Sequence, residues 1–140
     1  MLLLIAYNIL LFTCCGYALV AGGQAGRYCA IMFIGASFLT AFPGEVLQWE
    51  TTSLGVFGID LLCFFFLVVL ALRFNRGWLI WGAGLQLAGV ATHISTIAAP
   101  DFSPVAYQML SAFWSIPLLL VMVAGIFYDR KFAAKQQAER

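Results

Sequence analysis

Residues 54–98 read LGVFGIDLLCFFFLVVLALRFNRGWLIWGAGLQLAGVATHISTIA. Two apolar runs, 54–72 and 78–98, are joined here by Arg73-Phe74-Asn75-Arg76-Gly77. At 1.5 Å per helical residue, each run is long enough to cross a hydrocarbon core of ~30 Å. The connector is too short for anything but an antiparallel helical hairpin. Asp60 lies 13 residues before Arg73, and His93 lies 15 residues after Trp78. Both therefore fall roughly 20 Å from the connector, at nearly matching depth. Asp60 is the one acid inside an apolar run, and His93 is the single histidine of the chain.

Composition carries the same message outward from the hairpin. Of 140 residues, 64% are hydrophobic and 9% are charged, against about 25% charged in soluble domains. So much apolar surface needs lipid as its solvent, and the length suits one domain. A net charge of +1 argues against nucleic acid as a partner. The four cysteines, Cys14, Cys15, Cys29 and Cys63, fall within or at the edge of apolar runs and form no CxxC pair. They are expected to be small apolar fillers rather than a disulfide framework or metal ligands.

Three further spans are expected around the hairpin. The first covers 2–21; no basic segment precedes it, so it is expected to be retained rather than cleaved. Gly22-Gly23-Gln24-Ala25-Gly26 is expected to end it in a flexible turn. The second, 27–42, is short for a crossing and is stopped by Phe42-Pro43-Gly44. The fifth, 105–128, follows Pro100-Asp101-Phe102-Ser103-Pro104 and carries Pro117 near its middle, where a kink is expected. Residues 129–140 form a polar, basic, helix-favouring tail, expected on the cytoplasmic side against anionic headgroups. The fold expected is thus all-α: a compact bundle of five transmembrane helices over 1–128, with a tail over 129–140.

Charge supports the count of five. Arg27, Arg73, Arg76, Arg130, Lys131, Lys135 and Arg140 all fall on one side, and Glu45, Glu50 and Asp101 on the other. Positive charge marks the cytoplasmic face, which puts the amino terminus outside and the carboxyl terminus inside.

Polar and small residues align within the spans. Gly82, Gln86, Gly89, His93 and Thr96 are spaced 4, 3, 4 and 3, a single helical face. Such a stripe lets a neighbouring backbone approach and hydrogen-bonds across the contact. Ser53, Val56, Asp60, Cys63 and Leu67 share a face of the third span, and Gln108, Ser111 and Ser115 a face of the fifth. An isolated carboxylate in a low-dielectric interior is costly unless paired or neutralised. Asp60 and His93 are therefore a candidate proton-handling pair or, more simply, a hydrogen bond that docks two helices. A bis-histidine haem site would need a second histidine from elsewhere. The dispersed Asp, His and Cys residues make no recognisable metal-ligand spacing. No nucleophile elbow, P-loop or dinucleotide fingerprint is present, and no catalytic residue is assigned.

The carboxyl-terminal half resembles a group of small uncharacterised bacterial inner-membrane proteins. The resemblance is carried by Asn75-Arg76 with Trp78, Gly84-Leu85-Gln86, Thr92-His93, Pro104 to Tyr107 and Trp114-Ser115, over residues 75–131. It implies a bacterial cytoplasmic (inner) membrane location and supplies no functional residues. Three functions are open. The first expectation is a non-catalytic accessory or structural subunit that docks with other membrane subunits or with itself. The alternative is a small proton-linked transporter or channel using Asp60 and His93. A further alternative is a quinone- or haem-associated redox subunit.

Overall fold

The computed structural model describes residues 2–41, 54–98 and 104–139, with side chains over 5–40, 54–98, 110 and 113–139. Among these residues there are five α-helices and no strand: α1 (Leu2–Ala21), α2 (Gly23–Ala41), α3 (Leu54–Phe74), α4 (Gly77–Ala98) and α5 (Pro104–Ala138). Glu45, Glu50, Asp101, Ser53 and the Phe42-Pro43-Gly44 stop lie outside the described residues.

The glycine-rich segment after α1 is not the five-residue turn expected from composition. Only Gly22 separates α1 from α2, and Gly23 takes the left-handed φ of +58° that reverses the chain. The reason lies in packing. A Cβ on Gly22 would collide with the Ala18 carbonyl and the Gly26 backbone, and one on Gly26 would sit 3.1 Å from the same carbonyl. These glycines let two helices pass close together. The helix therefore begins four residues earlier than Arg27, and α2 reaches 19 residues. Arg27 then turns back, and its Nε–H donates to the Leu19 carbonyl at 3.1 Å, capping the open end of α1.

The α3–α4 connection is equally tight. Asn75 adopts φ 49°, the left-handed conformation that asparagine tolerates best among side-chain-bearing residues. Its N–H closes α3 onto Ala71 at 3.0 Å. At the other junction, α5 runs without a break through Pro117 and past Tyr128 to Ala138. Its 35 residues span about 52 Å at 1.5 Å per residue.

Each helix packs against its two neighbours in chain order, and α5 closes back on α1, making a five-membered ring. Ring partners fix the directions. Phe57 meets His93 across α3 and α4, Trp114 meets Thr92 across α4 and α5, and Tyr28 meets Phe74 across α2 and α3. Those pairs are antiparallel. Between α1 and α5 the order is the same in both helices, because Tyr7 partners Ser115 while Gly22 and Gly26 face Ile126.

One end of the ring is sealed. Gly125 lies so close to Trp78 that a Cβ there would collide with the indole, and Ile126 fills the notch over Gly22 and Gly26. Trp78 Nε1–H donates to Asp129 Oδ2 at 3.1 Å, and Arg76 Nη1 lies 3.3 Å from the same oxygen. The α1–α2 turn, the α3–α4 connector and the 126–130 part of α5 therefore share one end, and Arg27, Arg73, Arg76 and Arg130 gather there.

Among the described residues, 26 large hydrophobic side chains are exposed, drawn from all five helices. Much of the interior consists of smaller or more polar groups: Cys14, Cys15, Ala18, Cys29, Ala30, Thr92, His93 and Thr96 are buried. Two helical segments, Leu54–Phe74 and Phe113–Ala138, are long and apolar enough to cross a membrane, by length and composition. Ile5–Ala21 is a shorter apolar helix.

Candidate functional site

Asp60 stands two turns into α3 and faces α4 across the hairpin. Its Oδ2 lies 2.7 Å from Nε2 of His93. Its Oδ1 accepts a hydrogen bond from Gln86 Nε2 at 3.1 Å, and Gln86 also donates to the Asp60 backbone carbonyl at 3.2 Å. Gln86 and His93 are seven residues apart on α4, two turns on one face, so a single helix face presents two groups to one carboxylate. With Asp60 ionised and His93 protonated, the imidazolium Nε2–H donates to Oδ2. With that proton moved across, a neutral acid faces the free Nε2 of a neutral ring that keeps its Nδ1–H, and no heavy atom need shift. Among the described residues, no lysine or arginine pairs with Asp60.

His93 is held on several sides. Its ring is 1% exposed, Phe57 meets it edge-on with centroids 6.0 Å apart, and Thr96 Oγ1–H donates to its carbonyl at 2.9 Å. Its neighbour Thr92 donates to the Ala88 carbonyl and accepts from Trp114 Nε1–H at 3.2 Å. The segment of α4 that carries His93 is thereby tied to α3 on one flank and α5 on the other. Asp60 differs in being 31% exposed at its side chain.

Asp60 also lines a partly open cavity of about 90 Å³. Its polar wall is Tyr7 from α1, Ser37 and Thr40 from α2, Asp60 from α3, Gln86 from α4 and Ser115 from α5. Leu11, Leu118 and Leu119 are among its apolar lining. The volume is enough for a few waters, each of which occupies roughly 30 Å³ in the liquid. It is small beside the ~300–1,000 Å³ of pockets that take drug-sized ligands. The cavity lies toward the end of the ring away from the Trp78–Gly125 seal, since its walls come from the start of α1 and α3 and the end of α2.

The stripe on α4 divides. Gln86 and His93 hold Asp60, Thr96 supports His93, and Gly89 gives ordinary contact to Trp114, 3.9 Å from where its Cβ would be. Gly82 is buried, yet a Cβ there would meet nothing within 4 Å, so close backbone approach is not what it provides. On α5, Ser115 reaches the cavity, while the side chains of Gln108 and Ser111 lie outside the described residues.

Sequence reasoning missed Tyr7, Ser37 and Thr40, and with them the idea of an interior cavity. The hydroxyl side of Tyr7 was legible only once ring closure was known. The Trp78–Asp129–Arg76 cluster was missed because the sequence places Asp129 at the start of a polar tail expected against headgroups. Equal depth at the connector end was the signal that could have found it.

The four cysteines are all free and buried. Among the described residues, no group of three or more His, Cys, Asp and Glu side chains is placed to hold a metal ion. His93 presents Nε2 to Asp60, so haem ligation through that nitrogen would require this contact to break. No protein-family model, no curated protein and no solved structure matches the chain.

Proposed function

We propose that the chain is an integral membrane protein of five crossings that passes protons through its interior cavity, as a small proton-linked transporter or channel, with Asp60 and His93 as the carrying pair. One observation carries this reading: the single acid of the apolar runs lines a cavity walled by all five helices and stands 2.7 Å from the single histidine, which is buried behind it. Ionisable groups at membrane depth are expensive, and where they occur they face the interior and mark proton and ion paths. A hydrogen bond that only docks two helices has no need of a cavity beside it.

The crossings are supported by the outward apolar surface on every helix and by the gathering of arginines at one end of the ring. Positive charge at that end makes it cytoplasmic, with the amino terminus outside and the carboxyl terminus inside. The cytoplasmic membrane of a bacterium is the location that goes with the resemblance of the carboxyl-terminal half.

A second reading, an accessory subunit that docks with other membrane proteins or with itself, is favoured by a different face. Gly84, Ala91, Ser95 and Ala98 are exposed on the outer side of α4. Spaced 7, 4 and 3, they form a small-residue strip of the kind that lets a second helix approach.

The test is proton flux into liposomes holding the purified protein and a pH-sensitive dye. Wild type should collapse an imposed pH gradient faster than empty liposomes, and Asp60→Asn and His93→Gln should lose that flux while remaining folded and monodisperse. If wild type matches empty liposomes and the two variants lose only yield or thermal stability, the proton reading is wrong and the docking one stands.

A further inference from the structure

Asp60 can pass a proton on only if a second group takes it. We propose that Tyr7 is that group: the proton travels from Asp60 through cavity water to the Tyr7 hydroxyl, and from there along Ser37 toward Thr40 at the end of α2. The inference rests on the proton-carrying reading above and names its path.

Three observations place Tyr7 in this role. Tyr7 and Asp60 line the same cavity from opposite hairpins, and the cavity has room for water between them. The Tyr7 hydroxyl has Ser37 and Ser115 as side-chain hydrogen-bond partners, so it is held between α2 and α5 with its oxygen in the polar wall. Ser37 and Thr40 lie one turn apart on α2, and Thr40 Oγ1 lies 3.1 Å from the Ser37 carbonyl to which it donates. Tyr7, Ser37 and Thr40 thus line one side of the cavity as far as the last turn of α2. Toward the other end, Trp78 packs on Gly125 and Ile126 on Gly22 and Gly26.

The step balances as a hop. Neutral Asp60 gives its proton to a water, whose oxygen gains one O–H bond and releases another proton to the Tyr7 oxygen. Tyr7 in turn breaks its own O–H bond toward Ser37. Ser37 passes its own hydroxyl proton to water on the open side of the cavity, so the water, Tyr7 and Ser37 oxygens each gain one proton and lose one, and the charge left behind is the Asp60 carboxylate, held by the His93 and Gln86 donors. A protonated His93 then supplies the next proton across the 2.7 Å contact and is left as the neutral ring. Reversing the order carries protons the other way.

Liposome flux again provides the test, with variants that keep the cavity's shape. Tyr7→Phe removes one oxygen atom and should lower proton flux at least about tenfold, the lower range for losing a positioned proton-transfer group. Replacing Tyr7 by a fluorinated tyrosine keeps packing and makes the hydroxyl a stronger acid, so flux should change measurably although the thermal midpoint does not. A purely structural tyrosine predicts wild-type flux from the fluorinated protein. Asp60→Asn serves as the control. Loss of flux in Asp60→Asn together with wild-type flux in both Tyr7 variants overturns the path and leaves the carrying pair intact. Wild-type flux in Asp60→Asn overturns the pair and the path together. If Tyr7→Phe does not fold, the fluorinated protein alone decides between relay and prop.

Discussion

At the scale of single residues, the Asp60–His93 contact sets the terms. Interhelical hydrogen bonds in membranes average about 0.6 kcal/mol and reach about 1.7 kcal/mol, because the separated helices also find partners. A double-mutant cycle with Asp60→Asn and His93→Gln is therefore expected to give a coupling of about 1 kcal/mol in detergent unfolding. A coupling near zero would mean that the 2.7 Å contact contributes nothing to docking. Glycines give a sharper contrast. Gly125→Ala drives a methyl into Trp78 and should destabilise by ~1–3 kcal/mol, as overpacking does. Gly82→Ala meets open space and should be neutral or stabilising by up to ~1 kcal/mol, the helix-propensity gain of alanine over glycine. Paired thermal scans of the two variants check both at once. The matched depth of Asp60 and His93 was legible in the sequence because a short connector turns depth into subtraction along two helices. The difference between Gly82 and Gly125 was not legible, since both are glycines in apolar runs and only the position of Trp78 separates them.

At the scale of elements, the joints do more than composition suggests. The Gly22–Gly26 segment reads as a flexible turn, yet it is a close crossing of two helices with a single residue between them. Glycine serves turns and close contacts alike, and sequence cannot say which until the neighbour, here the Ala18 carbonyl, is known. Trp78 and Asp129 tie the start of α4 to α5 by a hydrogen bond. Arg76 adds an ion pair whose side chains are 50% and 38% exposed, and an exposed pair contributes ~0–1 kcal/mol. Trp78→Ala should therefore cost ~3–5 kcal/mol as a buried aromatic truncation, whereas Arg76→Ala should cost under ~1 kcal/mol. Comparable losses in the two variants, measured by unfolding in the same detergent, would show that the charge and not the packed indole closes this end.

For the whole molecule, a hydrophobic core that includes Leu11, Leu67, Leu79, Leu119 and Met122 holds a few buried polar groups, Thr92, His93 and Thr96, while large apolar side chains also cover the outer surface. All-α class and five helices were readable because apolar runs broken by Gly, Pro and Arg leave few other ways to fold 140 residues. Ring closure was not readable: the docking of α1 on α5 depends on faces that are apolar all round, where periodicity carries no signal. The seal at one end has a measurable correlate. Cys14, Cys15, Cys29 and Cys63 are buried, so a membrane-permeant maleimide should leave all four unmodified in the folded protein and react once it is unfolded. Fast labelling of any of them without denaturant would contradict the packed interior. On the proposed five-crossing topology, single cysteines placed at Arg27 and Arg76, with the four native ones replaced, should both be labelled from the same face of the membrane alone.

A ring of five cannot alternate up and down all the way round, so one neighbouring pair must run the same way, and here it is α1 and α5. Neighbours that alternate are stitched by a loop at one end; this pair is separated by the rest of the chain. The first and last helices are therefore joined by packing and side-chain contacts, with no short loop between them. Tyr7 and Ser115 sit on those two helices, so a polar clasp on that seam is also part of the cavity wall.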